Sequence, residues 1–162
     1  MDLRDMIVDD ETGKLVYAWL LFAASTLVFA GIFAVLLALG RTPVIQGLYP
    51  GKDFLYVALV GHVDLSVVIW FLAFMAVLWL LSSVSYLKAK LFCPILGWTG
   101  FSATVSGMIL LTVSTLLALG EPIHANYVPV LTHPVFYVAL LLVGVGIGVT
   151  VVNTFLTVIK AD

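Results

Sequence analysis

The sequence predicts an all-α integral membrane protein, a bundle of four transmembrane helices, and three observations carry that reading. Of its 162 residues, 63% are hydrophobic and only 10% are charged, against roughly 25% charged in an average soluble domain. The mean hydropathy is +1.21. Four apolar stretches, near Leu15–Leu39, Phe54–Leu81, Ile95–Leu119 and Pro134–Ile159, each reach the roughly 20 residues a helix needs to cross about 30 Å of hydrocarbon. They are too long for barrel strands, and an open sheet would leave unpaired backbone groups in lipid at several kcal/mol each. The 162 residues therefore read as one transmembrane domain.

The acidic segment before the first helix carries Asp2, Asp5, Asp9, Asp10 and Glu11. The apolar run behind it is too long and too poorly flanked for a cleavable signal, so the first helix is expected to stay. Gly40, Pro43, Gly47, Pro50 and Gly51 break the chain before the second helix, and Pro94 opens the third. Gly120, Pro122, Pro129 and Pro134 separate the third from the fourth, where Pro134 suits a first turn capped by Thr132 or His133. Arg4, Lys14, Lys88, Lys90 and Lys160 fall on the side of both termini, and Arg41 and Lys52 on the other. That bias places both termini in the cytoplasm, as expected for a multi-pass protein of the cytoplasmic (inner) membrane.

With seven Lys and Arg against nine Asp and Glu, the formal charge is −2, and no basic face exists for nucleic acid. Cys93 is the single cysteine, which excludes an internal disulfide and a CxxC pair. Leu36-Leu-Ala-Leu-Gly40 recurs as Leu116-Leu-Ala-Leu-Gly120, and Tyr56-Val-Ala-Leu59 as Tyr137-Val-Ala-Leu140. The offset of about 80 residues reads either as a duplicated helical hairpin or as chance recurrence in lipid-facing sequence. On that alignment His62 falls opposite Val143.

Chemistry has to come from the few polar groups inside the hydrocarbon. His62 and Asp64 lie about two turns into the second helix, where an ionisable group is costly unless neutral, paired or ligated. At about 100° per residue they point to nearly opposite faces, His62 with Ser66 and Ile69, Asp64 with Val68 and Phe71. His62 reads as an axial ligand of haem iron, with Gly61 letting a flat macrocycle approach, or as a neutral donor to a third-helix hydroxyl among Thr99, Ser102, Thr104, Ser106, Thr112, Ser114 and Thr115. Asp64 reads as a structural acid or as part of a proton relay. His133, before the fourth helix, is a candidate second ligand if it can reach His62, although it sits at the interface. His124 is expected in an exposed loop. Gly144 and Gly148 form a small-xxx-small pair suited to close helix contact, as do Gly100 and Gly107, and the tryptophans read as an interfacial belt.

The run from Val16 through Leu81 resembles the first two helices of subunit I of haem–copper respiratory oxidases and nitric oxide reductases. It has a helix ending in Ala38-Leu-Gly-Arg41, a Pro/Gly-containing outer loop, and a helix with one His in its outer third. Asn126-Tyr-Val-Pro-Val-Leu-Thr-His-Pro134 and its flanks resemble the third and fourth helices of divergent members. The resemblance implies that His62 ligates a low-spin haem, expected to be haem b. Arg41 and Lys52, on the same side of the membrane as His62, are candidate partners for the haem propionates, and a cytochrome c-type protein is a candidate donor. Family subunits have about twelve helices, and their copper ligands and second low-spin haem ligand come from helices beyond these four. The chain alone is then no oxygen-reducing enzyme and holds no copper site. It reads as a split or truncated subunit of a respiratory complex, partnered by other membrane subunits or by a second copy. The competing class is a cofactor-free assembly subunit. A transporter would gather several polar groups on one cavity, and His62 and Asp64 lie on different faces.

Overall fold

A computed structural model describes residues 9–43, 54–124 and 128–161. Four helices long and apolar enough to cross a membrane follow one another: α1 (Asp10–Gly40), α2 (Phe54–Leu87), α3 (Pro94–Leu116) and α4 (Pro134–Ile159). Between α3 and α4 a two-stranded antiparallel hairpin, β1 (Pro122–Ile123) and β2 (Val130–Leu131), pairs Pro122 with Leu131 and Ile123 with Val130. The chain is thus an all-α membrane bundle, with the start of α1 and the last turns of α4 at the same end.

The helix ends follow from local chemistry. Helix α1 starts at Asp10 because Asp9 caps it: Oδ1 accepts the Thr12 N–H and Oδ2 the Thr12 hydroxyl, each at 2.9 Å. Helix α2 runs on to Leu87 and stops where Lys88 takes a left-handed φ of 49°. Helix α3 stops at Leu116, short of the expected Leu119, just before Ala118 takes the same φ. Helix α4 has the expected bounds, and His133 is its cap.

The tightest seam lies between α3 and α4. A Cβ on Gly100 would come within 2.8 Å of the Gly146 carbonyl, and one on Gly107 within 2.6 Å of the Ala139 carbonyl, so the two backbones meet without intervening side chains. Gly144 and Gly148 do not take part. They are exposed, with nothing within 4 Å of where a methyl group would stand, because the buried face of α4 runs through Val143, Gly146, Ile147 and Thr150. At the terminal side, Asn153, fully buried, clamps the non-helical approach to α3. Its Oδ1 accepts the Cys93 N–H at 3.1 Å and its Nδ2 donates to the Cys93 carbonyl at 2.9 Å, while the Thr157 hydroxyl accepts the Phe92 N–H at 2.9 Å.

Helix α1 closes the bundle through aromatic packing. Trp19 meets Phe22 and Phe101 edge-on at 5.8 and 5.3 Å between ring centroids, and Phe101 meets Trp98 at 5.7 Å. Such contacts add about 0.5–1.5 kcal/mol each beyond the area they bury. Trp19 is therefore a core residue, 0% exposed, and not a member of an interfacial belt.

These contacts set opposite outcomes for two glycines of similar sequence context. Gly107→Ala forces α3 away from the Ala139 carbonyl and is expected to cost about 1–3 kcal/mol as overpacking. Gly144→Ala meets open space and is expected to be neutral or to stabilise by up to about 1 kcal/mol through helix propensity. Thermal unfolding midpoints of the two variants in detergent micelles check the difference in sign.

Candidate functional site

The site is built around His62, in the N-terminal half of α2, here its outer half because it lies away from the start of α1 and the end of α4. Its Nδ1 lies 2.9 Å from the carbonyl oxygen of Ala30 on α1. A carbonyl only accepts, so Nδ1 is the donor, and in the neutral tautomer this leaves the lone pair on Nε2. Among the described residues Nε2 has no protein hydrogen-bond partner, and the side chain is half-buried at the flank between α1 and α2. This is the arrangement of an imidazole oriented by one nitrogen and open at the other, as metal-ligating histidines are held by an outer partner.

The third-helix hydroxyls are not its partners. Thr99, Thr104, Ser106, Thr112, Ser114 and Thr115 donate to carbonyls three or four residues back on their own helix, at 2.8–2.9 Å. Gly61 does not open a path for a flat ligand either. It is buried, and a Cβ there would lie 2.6 Å from Thr115 Cγ2 and 3.1 Å from the Phe33 ring, so it serves the junction of α1, α2 and α3.

Directly after His62 the helix widens. Residues Asp64–Ile69 form a π turn, in which the Trp70 N–H donates to the Leu65 carbonyl five residues back, and the Ser66 hydroxyl donates to the His62 carbonyl at 2.6 Å. Composition does not mark this turn in advance. It separates His62 from Ile69, which is 0% exposed, so the face the two would share in a regular helix does not exist. Helix α4 is α-helical throughout, so the π turn has no counterpart near Val143. Such turns are rare and concentrate at functional sites. Asp64, which opens the turn, is 0% exposed, and neither carboxyl oxygen has a hydrogen-bond partner among the described residues.

The remaining candidates stand elsewhere. His133 caps α4, its Nδ1 accepting the Val135 N–H at 3.3 Å, so in the neutral ring the proton sits on Nε2, the opposite tautomer to His62. Among the described residues no hydrogen bond or ring contact joins it to His62, and no group of three or more His, Cys, Asp or Glu gathers as a metal site. Arg41 is exposed at the end of α1, its N–H bonded to the Ala38 and Leu39 carbonyls. Some 16 Å of helix rise separates it from Ala30 at about 1.5 Å per residue. Lys52 lies outside the described residues. His124 is an exposed loop residue whose ring lies 5.2 Å from that of Tyr56.

Asp64→Leu removes a buried polar group without a partner and keeps an apolar side chain of comparable size. It is expected to raise the unfolding midpoint in detergent, by the equivalent of about 1–3 kcal/mol. A lowered midpoint would show that the carboxyl group is bonded in the folded protein.

No family model matches the chain, and no solved structure matches it. A protein of Aquifex aeolicus (strain VF5), described as "Uncharacterized protein", is 34% identical over 129 residues, which make up 78% of this chain and 31% of that one. The chain therefore spans about a third of the length of this curated relative.

Proposed function

We propose that the chain is a haem-binding membrane subunit of a respiratory electron-transfer complex, with His62 as an axial ligand of a b-type haem. The observation that carries this reading is the bond from His62 Nδ1 to the Ala30 carbonyl. It fixes the tautomer and the ring plane, and leaves the Nε2 lone pair at a half-buried flank. The resemblance of Val16–Leu81 to the first helices of haem–copper oxidase subunit I supports the same residue in the same role. When bound, the haem supplies one-electron transfer. The chain supplies the ligand, its orientation and a low-dielectric surrounding.

In this reading Arg41 pairs with a haem propionate at the outer end of α1, and Lys52 is assigned the same role. His133 keeps its place as a helix cap, because ligation through Nε2 would require the tautomer that cannot accept from Val135. The second axial ligand then comes from another membrane subunit or a second copy, and a cytochrome c-type protein is the donor. The complex sits in the cytoplasmic (inner) membrane, and oxygen reduction and copper belong to its other parts.

A second reading, a cofactor-free assembly subunit, rests on a different observation. An open groove of about 530 Å³ on the back of α3 is lined by Trp98, Thr99, Ser102, Ala103, Ser106 and Leu142 with Ile95. Its three hydroxyl residues are exposed on the least apolar of the four helices, a surface better matched to a partner helix than to lipid.

A reduced-minus-oxidised spectrum of the purified protein or its complex separates the two. A b-type signal that is present in the native chain and lost in His62→Ala is expected, and a native spectrum without a Soret band attributable to this chain leaves the assembly role. Arg41→Ala is expected to lower the midpoint potential, because losing a cation favours the oxidised state, which carries one more positive charge. An unchanged potential removes Arg41 from the site.

A further inference from the structure

The buried positions of α2 do not lie on one regular helical stripe. In the inner half Ile69, Ala73, Ala76 and Leu80, each 0% exposed, follow at steps of 4, 3 and 4, the spacing of one face of an α-helix. Seven residues before Ile69, two turns back on that face, stands His62. A regular helix of this sequence would carry the histidine into the core. The outer half instead buries Val57, Ala58, Val60, Gly61 and Leu65. From Gly61 to Ile69 the step is eight residues, where two α-turns take about seven.

We infer that the π turn Asp64–Ile69 is a register device that absorbs one residue, so that both halves of α2 bury their apolar faces while His62 is held at the flank with Nε2 outside the core. One residue corresponds to about 100° of rotation. That rotation is the difference between an imidazole in the centre of the bundle and one at its edge beside Ala30. The π turn thereby acquires a positioning role toward the histidine of the proposed function, and depends on that reading only for what the histidine is positioned to do.

The test changes the count of residues in the turn and reads position directly. In a Cys93→Ala background, a nitroxide spin label is attached at His62→Cys, with Ala58→Cys as the buried reference, and accessibility to dissolved oxygen is measured in lipid vesicles. Removing Val67, which is exposed in the turn, leaves a regular α-helix with both registers kept. The label at 62 is then expected to stay as accessible as in the full-length helix. Adding one alanine after Val67 turns the outer half the other way. The label at 62 is expected to fall toward the value at Ala58. Loss of accessibility on deleting Val67, or no change at either position on the insertion, overturns the inference. The same deletion with His62 in place is expected to keep the b-type spectrum of the native chain. A native chain without that spectrum would fail the haem reading and leave the labelling result standing.

Discussion

Inside the bilayer every polar group has to find its partner within the protein, and this constraint shapes the molecule more than any single packing contact. An unpaired polar group in hydrocarbon costs several kcal/mol, so the buried hydroxyls of α3, Thr104, Thr112, Ser114 and Thr115, turn back onto their own helix carbonyls. Asn153 spends its whole amide on Cys93, where the chain enters α3 without helical bonds of its own. Against this background three side chains among the described residues stand out: Trp19, whose buried indole N–H has no partner, and the pair His62 and Asp64. His62 closes one nitrogen and leaves the other open, and Asp64 closes neither oxygen.

The packing places these two groups where the bundle is least uniform. Helices α3 and α4 meet backbone to backbone through Gly100, Gly107 and Gly146, a seam with no room for anything else. The aromatic cluster of Trp19, Phe22, Trp98 and Phe101 fills the contact of α1 with α3. The outer contact of α1 with α2 is instead made by Phe33 against Gly61 and by the histidine bond, and the π turn follows at once. Rigid seams elsewhere therefore hold fixed a single flank at which the helix geometry is irregular and an imidazole nitrogen is unspent.

Much of this fold was legible in the sequence because length and apolarity alone dictate a lipid-crossing helix. The bounds of α4 followed from Pro134 and its capping neighbour, and His62 stood out as an ionisable residue at depth. What could not be read was set by contacts between helices. The choice of Gly146 over Gly144 and Gly148 depends on which face of α4 meets α3, and small residues four apart occur on both faces, as Gly144 with Gly148 and as Gly146 with Thr150. The partner of His62 is a backbone carbonyl, which every residue owns and no sequence pattern marks. The π turn left a trace, since the buried spacing of Ile69, Ala73, Ala76 and Leu80 runs back onto His62. Only the burial of Gly61 and Leu65 shows that the stripe is broken.

The difference between a ligand and a packing residue turns on what the Ala30 bond accomplishes. Ala30 lies mid-helix, where its carbonyl already has a helical donor, so it does not need the histidine to be satisfied. The bond therefore serves the imidazole, fixing which nitrogen is protonated and how the ring is turned. A histidine retained only to fill space would gain by closing both nitrogens inside the bundle, and a regular α2 would have carried it there. Instead the helix accepts an irregular turn, with its poorer hydrogen-bond geometry, close to a histidine whose second nitrogen has no hydrogen-bond partner among the described residues. Helix α4, which carries no histidine or carboxylate within its span, is α-helical throughout.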